Sequence, residues 1–261
     1  MTPKQIMEHG LQDGTDVFAI ATIVRTAGTT AAKPGAKALL RGDGTIIDGW
    51  LGGGCVKGAI KAATLRAYAT GQPQLISVAP EEDLARQGVH AGDDKDGVRF
   101  ARNGCPSKGT IDIFIEPHLP EPELWVIGAS PVALKLTALA PHFGWTVTEA
   151  ASDAPLPDRA PGRARYVVIA TQGQGDLAAL TAVLTSGADY VAFVGSGKKY
   201  ATLSAKLAAQ DIPAGQIAAV HAPAGLNIGA VTPAEIALSI LAQMTEVKRQ
   251  ISTQAAQSAA S

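Results

Sequence analysis

The residues best suited to chemistry are two thiols. Cys55 and Cys105 are the only cysteines in the chain, and each follows glycine: Cys55 in Leu51-Gly-Gly-Gly-Cys-Val-Lys-Gly-Ala-Ile60, Cys105 in Asn103-Gly-Cys-Pro-Ser-Lys-Gly-Thr110. Gly52, Gly53 and Gly54 carry no Cβ, so the backbone there is free to turn through positive φ and bring its N–H groups against an anionic ligand. Cys55, Val56, Ala59, Ile60, Ala63 and Ala67 then recur at helical spacing. That spacing puts the thiol at a helix N-terminus, where the macrodipole favours thiolate, a nucleophile and a soft metal ligand. The same stretch also suits a tight turn with a buried, inert cysteine. That both thiols occupy glycine-rich polar loops favours the reactive reading. No C-x-x-C or H-x-x-x-H pair is present, so no metal ligands stand at the usual zinc spacings.

Two further groups point toward ligands. The loop Arg25-Thr-Ala-Gly-Thr-Thr-Ala-Ala-Lys-Pro-Gly35 gathers Arg25, Thr29 and Lys33 at the end of a strand, as a phosphate would require, although such a loop also serves as a solvated connection. Near the middle of the chain, Gly128-Ala-Ser-Pro-Val-Ala133 follows a short apolar strand and opens a helix. It is a degraded G-x-G-x-x-G/A, with Ser130 where the second glycine belongs, so Gly128 and Ser130 are weak candidates for binding a nucleotide. Glu149 stands near the position of a ribose-binding acid. Gly195-Ser-Gly-Lys-Lys199 is not a P-loop, since Ala192 replaces the first glycine and Lys199 the magnesium-binding hydroxyl. Thr232-Pro-Ala-Glu235 reads as a helix capping box rather than a catalytic carboxylate.

The elements that must position these residues are those of an α/β protein. Val17–Val24 reads as a buried strand, Ala36–Leu40 and Thr45–Trp50 as a hairpin about Asp43-Gly44, Cys55–Thr70 as a helix, and Gln74–Val78 and Ile111–Ile115 as strands. A short helix is expected over Pro3–Gly10, and an irregular excursion over Pro80–Gly97 with one short helix at Glu81–Gln87. The proline-rich Glu116–Glu123 reads as a stiff linker. Beyond it, strands and helices alternate through Leu124–Ile127, Val132–Phe143, Trp145–Thr148, Tyr166–Ala170, Asp176–Thr185, Tyr190–Val194 and Lys198–Gln210, the pattern of a parallel sheet. The expected domains are therefore 1–118 and 119–250, with a disordered, uncharged tail over 251–261. With 22 basic and 23 acidic residues the net charge is −1, which excludes broad electrostatic attraction to nucleic acid or anionic membrane. No apolar run of bilayer length or signal-peptide pattern is seen, so the expected location is cytoplasmic.

Taken in order, the motifs resemble the XdhC/CoxI family of accessory proteins for molybdenum-containing hydroxylases. The likeness rests on Ala21–Thr30 with Lys33-Pro-Gly-Ala36, Gly52–Gly58, Gly104–Thr110 with Ile115-Glu-Pro117, Gly128–Ala133, Tyr190–Ser196, Pro223–Ala230 and Thr232–Leu241. The Gly-Ala-Ser-Pro turn and the Cys-Pro-Ser loop look closest to the branch associated with aerobic carbon monoxide dehydrogenase. The resemblance implies a family-specific N-terminal α/β domain followed by a Rossmann-like domain. It further implies a maturation factor, rather than a turnover enzyme, that binds molybdenum cofactor, including its cytosine dinucleotide form, and assists its sulfuration and insertion. Cys55 and Cys105 are then the sulfur groups, with Cys55 a molybdenum ligand, and Arg25, Thr29, Lys33 and Gly52–Gly54 hold the anionic cofactor. Implied partners are an apo molybdenum hydroxylase, a sulfur donor such as a cysteine desulfurase, and a second copy of the chain. Two rival readings are an oxidoreductase using NAD(P) or FAD and a docking scaffold with inert cysteines. The chain departs from the family pattern at Lys57, where many relatives carry an acid, and at Gln172 and Gln174, where many carry histidines.

Overall fold

The computed structural model describes residues 17–104, 108–159 and 163–258, and for Cys55 the description extends to the backbone. The helix expected over Pro3–Gly10 and the residues Cys105, Pro106 and Ser107 lie outside the described residues. The chain divides into two compact units, one drawn from Met1–Pro120 and Ile251–Ser261, the other from Glu121–Gln250.

The first unit is built on β1 (Phe18–Ala27), β2 (Lys37–Arg41), β3 (Ile46–Gly49), β4 (Gln74–Ala79), β5 (Asp94–Lys95), β6 (Val98–Arg102) and β7 (Thr110–His118). They form one sheet in the order β3-β2-β1-β7-β4-β6-β5. Every pairing is antiparallel except β4 with β6. Alternation decides which face is buried: Ala19, Ala21 and Ile23 on β1 and Ile111, Ile113 and Ile115 on β7 point to one side. There they meet Val56, Ile60, Ala63 and Ala67 of α1 (Gly54–Thr70). That helix ends where Gly71 enters the left-handed region at φ 64°, a glycine stop. A short α2 (Glu81–Arg86) places Leu84 in a satellite cluster with Ala79, Val89 and Phe100. The excursion after Pro80 thus holds α2 and also the two-residue strand β5. The expected linker is short, because β7 runs on to His118 and the next strand opens at Glu123.

The second unit carries β8 (Glu123–Ile127), β9 (Thr146–Ala150), β10 (Arg165–Ile169) and β11 (Tyr190–Phe193), all parallel, in the order β11-β10-β8-β9. Around them lie α3 (Pro131–Leu139), α4 (Asp176–Leu184), α5 (Gly197–Ala208), α6 (Ala214–Ala218) and α7 (Pro233–Ser258). β10 is buried over its whole length. Tyr166 and Val168 enter a core with residues of α3 and α7, while Val167 and Ile169 enter another with residues of α4 and α5, as a strand covered on both faces requires. The chain leaves β8 for β9 on one side and returns to β10 on the other, so the strand order reverses between β8 and β10. The tail differs from expectation. α7 continues to Ser258, since the alanines and glutamines after Ile251 are good helix formers even with nothing large to bury. Among the described residues no helix is long and apolar enough to cross a membrane.

Candidate functional site

Cys55 is the second residue of α1, directly behind the glycine turn. Gly53 is the N-cap, no side chain among the described residues caps this end, and the first turn holds no acid. The free N–H groups of the helix start are thus left for solvent or a ligand. The three glycines are not equivalent, and the turn through positive φ falls on one of them. Only Gly52 is left-handed, at φ 124°, while Gly53 sits at φ −71°, open to any residue, and Gly54 is already helical. A Cβ on Gly53 or Gly54 would meet nothing within 4 Å. Both therefore face open space, a cavity of about 620 Å³ bordered by Trp50, Gly52, Gly53, Gly54, Lys57 and Lys61.

Two loops converge on this end of the sheet. A Cβ on Gly52 would lie 3.9 Å from Ala32 and 3.8 Å from Ile111, so the loop after β1 and the start of β7 both abut the turn. Buried Ala32 anchors that loop, leaving Lys33 exposed beside it and Thr29 exposed farther back. Thr29 forms an isolated bridge to Lys108, and a Cβ on Gly109 would fall 2.5 Å from the Thr29 carbonyl oxygen. The Asn103 amide, buried, donates to the Gly109 carbonyl at 2.6 Å. The two described ends of the Cys105 loop are thus joined to each other by Asn103, and its Lys108–Gly109 end is joined to the loop that carries Thr29 and Lys33.

Arg25 is not brought to the turn. A bulge between Ile23 and Arg25 leaves Val24 unpaired, and the extra residue reverses the side on which the next one points. Arg25 consequently stands opposite Asp112, whose carboxylate accepts from its Nε and, at 2.7 Å, from the Ser77 hydroxyl. Asp112 alternates with Ile111 and Ile113, so this row lies on the sheet face away from α1. The hydrogen bond to Asp112, with its charge, raises the Arg25 guanidinium further above its usual value.

In the second unit the carboxyl ends of β8 and β10 come together at the reversal of strand order. Gly128 is left-handed at φ 102°, and a Cβ there would lie 2.7 Å from the Ala170 carbonyl oxygen and 2.8 Å from the Thr171 Cα. Its glycine is required by packing of one strand end on another. Ser130 is buried and caps α3, its hydroxyl accepting from the Ala133 N–H at 3.1 Å, with proline at the first helical position. Beside them lies a cluster that motif reading missed. Asp176, buried at the start of α4, accepts from the Thr171 hydroxyl and pairs with Lys199 of α5 at 2.5 Å. Burial pulls its carboxyl upward, but the hydrogen bonds from Lys199 and Thr171 outweigh this and hold it below the usual range. Glu149 is exposed on β9. The capping box is formed as expected, Glu235 accepting from the Thr232 and Val231 N–H groups at 2.8 and 2.9 Å. Among the described residues no group of three or more His, Cys, Asp or Glu is placed to hold a metal.

Comparison with known proteins bears on both units. A family model described as the XdhC and CoxI family matches residues 11–79, and one described as the XdhC Rossmann domain matches residues 124–244. The chain belongs to the XdhC and CoxI family. The first match contains the loop of Arg25, Thr29 and Lys33 together with the Cys55 turn, and the second contains all four strands of the parallel sheet. The uncharacterized protein YqeB of Escherichia coli (strain K12) is 30% identical over 260 residues, covering 91% of this XdhC/CoxI chain and 45% of YqeB. The chain thus spans less than half the length of that relative. A solved structure described as a xanthine dehydrogenase from Bacillus halodurans is 18% identical over 96% of each chain, with a TM-score of 0.41, a likeness too distant to carry an argument.

Proposed function

We propose that this protein is a maturation factor for a molybdenum-containing hydroxylase, holding the molybdenum cofactor at the Cys55 turn and delivering it to the apo-enzyme. One observation carries the reading. The second residue of an uncapped, acid-free helix start is a cysteine, and the glycines before it open on a cavity of about 620 Å³. The residues fit the group: an anionic, phosphate-bearing pterin finds backbone donors at the helix start, and a soft metal finds a sulfur there. Bound in this place, the cofactor would supply the molybdenum dithiolene centre on which a hydroxylase depends. Gly52 aims the helix start at the cavity, the Gly53 and Cys55 N–H groups bind the anionic portion, and a cysteine at the second helical position is one whose thiolate a helix dipole favours. Lys108 and Gly109, which follow the Cys105 segment in the chain, meet the Thr29 loop at the same end of the sheet, and Cys105 is the second sulfur group in this reading. The Gly128 turn lends little to a dinucleotide reading, because the Ser130 hydroxyl is spent on its helix. The Gly-Ala-Ser-Pro turn favours a target of the carbon monoxide dehydrogenase branch.

The test is to produce Cys55→Ser with the target hydroxylase and measure cofactor bound to the factor, activity of the hydroxylase, and thermal stability. Serine keeps the size and removes the soft sulfur, so the variant should melt like the wild type, retain less cofactor and yield inactive hydroxylase. Wild-type maturation by Cys55→Ser would remove the proposal.

A further inference from the structure

We infer that the cavity before Cys55 selects a planar heterocycle carrying a phosphate, with the ring stacked on Trp50 and the phosphate held by Lys57 and Lys61. This deepens the cofactor reading of the turn and rests on it. Trp50 is 51% exposed and forms part of the cavity wall. Water-facing tryptophan at the wall of a concave site is a stacking platform, offering a large rigid π-face. Apolar floor is supplied by Ile46 and Ile60. Opposite charge comes from the helix. Lys57 and Lys61 are one turn apart, on the face that begins at Gly53, and both border the cavity. Asp43 is the carboxylate that faces Lys61, and its own oxygen already accepts the Thr45 N–H at 2.8 Å. A phosphate among two ammonium groups and the free N–H groups of the first turn gains charge-assisted hydrogen bonds that a neutral ring cannot make. The hairpin turn fixes this geometry, because a Cβ on Gly44 would fall 2.7 Å from the Lys61 Cα. The hairpin turn, β3, the glycine turn and α1 thereby frame a site of about 620 Å³, within the range of small-molecule pockets.

The experiment follows tryptophan emission of the purified full-length protein on titration with neopterin monophosphate, with neopterin, and with inorganic phosphate. Trp50 is the exposed one of the three tryptophans, Trp145 being buried and Trp125 half-buried, so quenching reads ring stacking at this site. The monophosphate should quench and bind about tenfold or more tightly than neopterin, the difference expected of charge-assisted contacts, and inorganic phosphate should not quench. Lys57→Ala with Lys61→Ala should abolish that preference, and Trp50→Leu should abolish the quenching; all three side chains are exposed, and a melt confirms folding. Equal affinity for the two pterins, quenching that survives Trp50→Leu, or no binding of either pterin would overturn the inference. None of these results touches the maturation assay with Cys55→Ser, so failure of the site geometry and failure of the function are read separately.

Discussion

Replacing Gly52 and Gly53 in turn by alanine should give opposite results, although the two residues are neighbours in one glycine run. At Gly52 the space is adequate, the nearest atom to a new Cβ being Val56 Cγ2 at 3.6 Å. The cost is therefore backbone strain alone. Holding an L-residue at φ 124°, in a region populated almost only by glycine, costs on the order of 1–3 kcal/mol. For a unit of this size that lowers the melting temperature by roughly 4 °C for each kcal/mol. At Gly53 the backbone is already extended at φ −71°, so alanine loses only the N-cap preference and regains unfolded-state entropy, for a net change within about 0.5 kcal/mol. Gly53→Ser should be neutral or stabilising by a few tenths of a kcal/mol, roughly, by capping α1. Urea and thermal unfolding of the three variants measure these differences directly. If Gly52→Ala matches the wild type, or Gly53→Ala is as damaging as Gly52→Ala, the assignment of the turn's conformational demand to one glycine is wrong.

Two further tests address the second unit. Arg165 is buried and engages the Glu123 carboxylate together with the Pro157 and Asp158 carbonyls; Arg165→Met strands that carboxylate and should cost about 3–5 kcal/mol in urea, much of it recovered by adding Glu123→Leu, whereas a loss under about 1 kcal/mol would show that the pair is dispensable. His221, stacked on Tyr190 at 4.7 Å, is pushed below the usual imidazole value by burial. The unfolded chain then takes up the proton first, so the stability is full above the unfolded value of about 6.5 and is lost as pH falls below it. Urea midpoints taken across that range should drop on acidification, and His221→Phe should flatten the slope; an unchanged slope would acquit this residue.

What could be read in advance was whatever local pattern alone decides. The continuous apolar run of Val17–Val24, the helical recurrence after Cys55, and the strand and helix alternation after Leu124 each depend on near neighbours, and all appear in the structure. Ser130-Pro131 carried the local signal of a cap followed by proline at the first helical position, which the comparison of this turn with a dinucleotide fingerprint passed over. Arg25 escaped because its direction depends on a bulge created by pairing with β7, almost ninety residues away, and no local feature marks Val24 as the extra residue. The same holds for Asp176 and Lys199, which stand on separate helices and meet only because β10 and β11 are adjacent. Gly109 behaves likewise, its smallness explained only by the Thr29 carbonyl pressed against it. The Trp50 wall needed the hairpin and α1 in place before an exposed indole could be recognised as part of a cavity.

The pairing of β1 with β7, from Phe18 opposite His118 to Ala27 opposite Thr110, sets the order of events while the chain is being synthesised. β1 and β2 can join as soon as both have left the ribosome, but the other edge of β1 is not fully paired until His118, the ninth residue of β7, emerges. Roughly 80 residues separate Arg41 from His118, which at about 5–20 residues per second is some 4–16 seconds. Throughout that interval Ala19, Ala21 and Ile23 sit on an open strand edge, the arrangement that recruits foreign strands. The last strand to emerge thus closes the middle of the sheet, and any pause of the ribosome between β2 and β7 prolongs the period in which a nascent chain can be captured by its neighbours.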